Sequence, residues 1–312
     1  MSLSEAGYHF GAILIDIKVR CFCKTSFGAP KLSNRKRPMS YRSILLNLGI
    51  DGSIEPLTRI SIDLAKRFDA KLIGFCAADA PLPVTTAPEG AAIAAELWEQ
   101  SRNEIRQRLN DQHSKFNELA GTVKAEWRDT VENPDHALVR ASLLADLVVT
   151  GASLGASTGD GYRMADPGSL VLRVGRPVLV AARGAASLPL GRVVVTWKDT
   201  REARRAVADA VPLMAMANEV IVVAVDPNPG DWIGDGVKDV ASFLAGHGIK
   251  ARTQVIKTDD NEGSRLIDFL ASVKAELVVS GAYGHSRVRE WVFGGVTRSL
   301  LDEVWLNRLM SN

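Results

Sequence analysis

The sequence predicts an α/β fold made of two tandem open parallel-sheet domains of Rossmann-like, nucleotide α-hydrolase type, and three observations carry that expectation. From Ser43 onward, short runs rich in Val, Ile and Leu alternate with stretches whose apolar residues return every third or fourth position. Continuous apolar strands separated by helices belong to parallel sheets covered on both faces. The order of runs then occurs twice. ADLVVTGA at 145–152 returns as AELVVSGA at 275–282, and SILL at 43–46 is answered by RVVV at 192–195. The length of 312 residues also exceeds the roughly 100–150 of a common single domain.

In chain order, the first copy is expected to run from strand Ile44–Leu48 through helix Leu57–Phe68, strand Leu72–Ala77, and helices Ala91–Leu119 and Asp135–Ala145. Strand Leu147–Thr150, a short helix Ser169–Val174 and strand Pro177–Ala181 complete it, giving a domain over 41–184. Arg183–Gly191 has the Gly, Pro and Ser content of a linker. The second copy, 190–312, has strands Val193–Thr196, Val220–Asp226, Ala251–Ile256 and Leu277–Ser280, with helices Glu202–Met216, Gly236–Ala245, Ser264–Ala275 and Val296–Val304. Its anchors lie closer together than those of the first copy, which places the first copy's extra residues in the long helix Ala91–Leu119. Residues 1–40 lack either periodicity and carry the basic run Arg35–Arg37; they read as a flexible tail or an extension upstream of Met39.

Composition narrows the function. Thirty-eight basic against 36 acidic side chains leave a net charge of +2, which gives no electrostatic case for nucleic acid or an anionic membrane as partner. Aromatics at 6% make a base-stacking surface unlikely to be the purpose of the fold. The three cysteines, Cys21, Cys23 and Cys76, show no metal spacing and read as unpaired thiols. Asp16 interrupts the one apolar run near the start, no cleavage site follows it, and the expected location is the cytoplasm.

The chemistry-bearing motif follows the fourth strand of the second copy: Gly281, Gly284, His285 and Arg287, then Gly294, Gly295 and Thr297. Glycines just past a parallel strand let backbone approach a ligand closely. The free N–H groups of the helix opening at Val296 offer hydrogen bonds to phosphate, Thr297 adds a hydroxyl, and Arg287, Arg289 and Arg298 add positive charge. Ligands of open parallel sheets bind beyond the carboxyl ends of strands, where this loop falls, as do Thr196, Trp197 and Asp199 at the end of the first strand of the copy.

The spacing Gly-x2-Gly-x9-Gly over Gly281, Gly284 and Gly294 resembles the nucleotide loop of the universal stress protein family. The resemblance extends over most of 41–312, through the Asp/Glu-Leu-Val-Val-x-Gly strands and the run Gly175–Val180, which looks like the family's final strand. It implies a five-stranded parallel fold, fused here in tandem, that pairs through its last strand as a homodimer or an intramolecular pseudo-dimer. It also implies an adenine nucleotide, ATP, with Mg2+ only as the nucleotide's companion, and a stress-response role without catalysis. Three positions depart from the family. Gly295 stands where a Ser or Thr follows the third glycine, Lys198 replaces the Asp after the first strand with Asp199 one step late, and Leu306–Asn312 lacks a Pro-Val-Leu run.

The first copy is further from the pattern, with Gly151, Gly155 and Gly168 at the wrong spacings, and its site is expected to be lost or specialised. It keeps Asp51-Gly52-Ser53 at the end of its first strand, while Asp166-Pro167 starts a helix. Two readings stand beside nucleotide binding: a ligand-free scaffold, favoured by Lys198 and Gly295, and an enzyme. The enzyme would be a slow nucleotide hydrolase in the second copy, or a serine hydrolase using the GxSxG at Gly151–Gly155. The Ser/Thr/Gly-rich residues after Ser153 oppose the serine hydrolase, since a nucleophile elbow opens directly into a helix.

Overall fold

The computed structural model describes residues 40–83, 90–152, 160–259, 261–283 and 295–312. Pro38–Asn312 forms a single unit. Its elements alternate as expected from Ser43: β1 (Ser43–Leu48), α1 (Glu55–Phe68), β2 (Lys71–Ala78), α2 (Gly90–Ala120), β3 (Ala125–Val131), α3 (Pro134–Ala141), β4 (Leu147–Gly151), α4 (Pro167–Arg173) and β5 (Val178–Ala181). There follow β6 (Arg192–Thr196), α5 (Arg201–Met214), β7 (Glu219–Asp226), α6 (Asp231–Gly246), β8 (Ala251–Lys257), α7 (Glu262–Ser272), β9 (Leu277–Gly281), α8 (Val296–Asp302) and β10 (Asn307–Ser311).

The described strands make one open ten-stranded sheet of order β3-β2-β1-β4-β5-β10-β9-β6-β7-β8. Each half has the same internal order, and every pairing is parallel except β5 with β10, where Leu179 lies opposite Leu309. Strand side chains alternate between two cores. Leu46, Leu48, Val193 and Val195 face α1, α2, α5 and α6, whereas Leu45 and Val194 face α3, α4, α7 and α8. Both cores run across the β5–β10 seam.

Side-chain chemistry sets the helix starts. Asn133, Asp166, Thr200 and Asn261 each accept a backbone N–H of the first turn, for example Ser169 N–H to Asp166 at 2.7 Å. α2 is 31 residues long against 16 for its counterpart α6. α3 ends at Ala141, earlier than its periodicity predicts, and a 3-10 turn continues it. There the Ser142 hydroxyl bonds the Val139 carbonyl at 2.7 Å.

Two strands have no counterpart in the sequence expectations. β3 is an edge strand, AEWRDTV, whose charged residues protect the open edge and hide the strand pattern. β10 opens on Asn307 and Arg308, yet both are buried, and it occupies the place where the Pro-Val-Leu run is missing. Asn307 accepts the Ala182 N–H at 2.9 Å and donates to the Glu276 carbonyl at 3.0 Å, tying β5 to the start of β9. Arg308, with no exposed surface, donates to the Leu300 carbonyl at 2.8 Å and to the Glu303 carbonyl, closing the end of α8. Burial pulls its pKa down to about 10. The seam is completed by Tyr41, whose hydroxyl donates to the Asp209 carbonyl at 2.6 Å, and by Ser311, which donates to the Asp209 carboxylate at 2.8 Å.

Replacing Arg308 by Ala removes these charge-assisted bonds and leaves a void, for an expected loss of about 3 kcal/mol. Arg308→Met fills the space and removes the buried charge, so its loss in urea unfolding will be distinctly smaller. Equal losses would show that the hydrogen bonds, rather than the packing, hold the seam.

Candidate functional site

In each half the crossovers from the first strand and into the fourth run to opposite sides, so the crevice between them, β1–β4 or β6–β9, is a topological switch point. In the β6–β9 crevice Thr196 lies opposite Ser280, which brings Thr196, Trp197 and Gly281 to adjacent strand ends. The Thr196 hydroxyl donates to the Val279 carbonyl at 3.3 Å. Trp197 anchors its N–H on the Val223 carbonyl at 2.7 Å and leaves its ring half-buried.

Gly281 is required by packing. A Cβ there would stand 2.7 Å from the Glu202 carbonyl carbon and 2.8 Å from the Ala203 Cα, so the glycine lets the start of α5 sit on β9. Thr297 is buried, and its hydroxyl accepts the Tyr283 N–H at 3.2 Å, which steadies Tyr283 in its left-handed conformation at φ 60°. Gly295 precedes α8, and its carbonyl accepts the Arg298 N–H at 2.9 Å. Asp199 is exposed and accepts two bonds from Arg204, at 3.1 and 2.5 Å; Lys198 points to Glu262 at 3.8 Å. Gly284, His285, Arg287 and Gly294 lie outside the described residues, as does Ser153.

Beside Trp197 opens a cavity of about 680 Å³, a volume suited to a small organic ligand. Its floor is the end of β7, Ala224–Asp226, and its walls are α5 and α6. α6 approaches closely because position 236 is glycine, where a Cβ would stand 3.0 Å from the Trp197 ring nitrogen. Trp232, Phe243, Asp226 and Asp239 line it and were not singled out as site residues in the sequence. The available signal was the two glycines of α6, Gly234 and Gly236, next to an otherwise unexplained Trp232. Among the described residues no three His, Cys, Asp or Glu side chains converge to hold a metal ion.

At the β1–β4 crevice the chain's own side chains lie over the strand ends. Arg163 and Arg108 both pair with Asp51, Arg163 Nη2 at 2.8 Å and Arg108 at 2.6 Å. Met164 lies against Gly49, where a Cβ would stand 3.5 Å from its sulfur, and the Tyr162 carbonyl accepts the Asp79 N–H at 2.7 Å. From the other side Gln112 donates to the Ile50 carbonyl at 3.0 Å. The Ser169 N–H is taken by Asp166. Asp51 is thereby committed within the chain.

Solved structures similar to this chain include universal stress proteins by description. One from Archaeoglobus fulgidus DSM 4304 has a TM-score of 0.62 at 13% identity, covering 86% of this chain and 98% of that one. A putative universal stress protein from Pseudomonas aeruginosa UCBPP-PA14 has a TM-score of 0.51 at 14% identity, covering 86% and 92%. At these identities the likeness establishes the fold: an open, mostly parallel α/β sheet of universal stress protein type. No protein-family model matches the sequence, and no curated protein matches it. Among the described residues no helix is long and apolar enough to cross a membrane.

The Arg163 hydrogen bond, reinforced by Arg108, holds the Asp51 carboxyl below the usual aspartate range. A native pKa below the unfolded value, about 3.9, stabilises the fold fully above that value and progressively less as pH falls through the native one. Asp51→Asn will cost roughly 0.2–1 kcal/mol at neutral pH, since the pair is half exposed. Between about pH 5 and about pH 3 the Tm advantage of the parent over the variant will shrink as pH falls. Parallel melting curves over that range would contradict the assignment.

Proposed function

We propose that this chain is a universal-stress-type module of the cytoplasm that binds one adenine nucleotide in its second half and acts without catalysis. The observation that carries the reading is the contrast between the two crevices. Residues 160–164 and Asp51 close β1–β4, whereas β6–β9 opens beside a cavity of about 680 Å³. The nucleoside enters over Trp197, and the phosphates, with any Mg2+, lie toward the loop from Gly281 to Thr297 and Arg298. Lys198 stands where the family's adenosine-binding Asp would be, so the Trp197 ring contributes more of the contact. The halves 41–184 and 190–312 are two copies of one domain, and the β5–β10 seam makes them an intramolecular pseudo-dimer. Ligand occupancy then shifts the loop population and with it a surface read by another protein.

The ligand-free scaffold has two observations in its favour: Gly281 is explained by helix packing, and Asp199 is bound to Arg204, without reference to a ligand. Calorimetric titration with ATP, ADP, AMP and cyclic AMP, beside native mass spectrometry of fresh protein, separates the two. One nucleotide per chain, lost in Gly284→Ala and not hydrolysed above the buffer rate, is the expected result. Two per chain would contradict the closed first crevice. No heat with any nucleotide at millimolar concentration would leave the scaffold, and turnover lost in Gly284→Ala would make the protein a hydrolase.

A further inference from the structure

We propose that the cavity between α5 and α6 binds a small organic cation with an apolar body, an amine carried on an aromatic or aliphatic frame. α6 presents two adjoining stripes. Ile233, Val237, Val240 and Leu244 are buried against the sheet, as an amphipathic helix requires. Trp232, Gly236, Asp239 and Phe243 recur with the same period and line the cavity instead. Trp232 is 64% and Phe243 45% exposed, a large open aromatic surface that core packing does not explain. With the half-buried Trp197 ring they give the cavity three aromatic walls.

Charge selects the ligand that fits between them. The lining holds the carboxylates Asp199, Asp226, Asp235 and Asp239 against the cations Lys198 and Arg204. Both cations are engaged, Arg204 with Asp199 at 2.5 Å and Lys198 toward Glu262 at 3.8 Å. Asp235 pairs with Lys238 at 3.1 Å, and Asp226 accepts the Asn228 N–H at 2.8 Å. Asp239, which sits one turn from Phe243, has no hydrogen bond or ion pair among the described residues. The remaining field is therefore negative. A cation there gains from the carboxylates and from the faces of the indole rings, and an anion of the same shape is repelled.

The cavity shares the Trp197 ring with the nucleotide reading, which directs phosphates toward Thr297 and Arg298 rather than among these carboxylates; the claim does not rest on that reading, and its test contains no nucleotide. Phenethylamine and phenylacetate are nearly isosteric and carry opposite charge, so calorimetric or NMR titration of the full chain with each isolates the electrostatic selection. Phenethylamine is expected to bind roughly tenfold more tightly than phenylacetate. Asp239→Asn should weaken it about threefold and Trp232→Ala about tenfold, with Gly234→Ala, whose new methyl meets nothing within 4 Å, unchanged. If either cavity variant fails to fold, the ratio measured on the parent decides alone. Equal or tighter binding of phenylacetate, or no phenethylamine binding at tens of millimolar, overturns the proposal. So does a dimer in sedimentation that Trp232→Ala dissociates, since a second copy would then cover the stripe.

Discussion

The antiparallel pairing of β5 with β10 is the constraint on which the rest of the molecule depends. It joins two runs of parallel strands into one sheet and lets each hydrophobic core continue across the junction. The strand that achieves this is polar at its start. Asn307 and Arg308 are admitted to the interior because each finds backbone partners there: Asn307 between Ala182 and Glu276, Arg308 at the end of α8. A buried guanidinium supplied with carbonyls fixes the register of β10 against its neighbours, where an apolar strand could slip. The free edges lie at the opposite ends, on β3 and β8. Each is laced with charge, Glu126 with Lys71 and Arg128 on one side, Glu219 with Arg192 and Arg252 on the other.

That architecture makes two crevices of the same topology, and side chains make them different. In the first, Asp51 is held by two arginines, and Tyr162 to Met164 lie over the strand ends. In the second, the strand after Thr196 delivers an indole, and a glycine in α6 makes room for it. The long helix α2 belongs to this contrast, since it carries Arg108 and Gln112 across the first crevice, a reach that the shorter α6 does not have.

Much of this was legible in the sequence because it rests on local pattern. Val193–Thr196 and Leu277–Ser280 announce buried parallel strands by composition, and Asp166-Pro167 announces a helix start. β10 was not legible, since Asn307 and Arg308 become interior residues only through partners from β5, β9 and α8. Nor was β3, whose charges answer to an exposed edge. At the candidate site Thr196, Trp197 and Gly281 stand at adjacent strand ends, and the glycine at 281 answers to the approach of α5. The cavity lining from α6 was hidden, because its aromatic and acidic residues meet Trp197 only after the helix has folded against β7.

The central claim is that one crevice is open to a ligand and its counterpart is closed by the chain. Amide hydrogen exchange, followed by mass spectrometry with and without ATP, tests it most directly. The account predicts added protection in the segments around 197–199 and 224–226, and no change around 49–53 or 160–165. Protection by ATP at 49–53 and 160–165 would contradict it, because residues 160–164 would then have to leave the first crevice to admit the nucleotide.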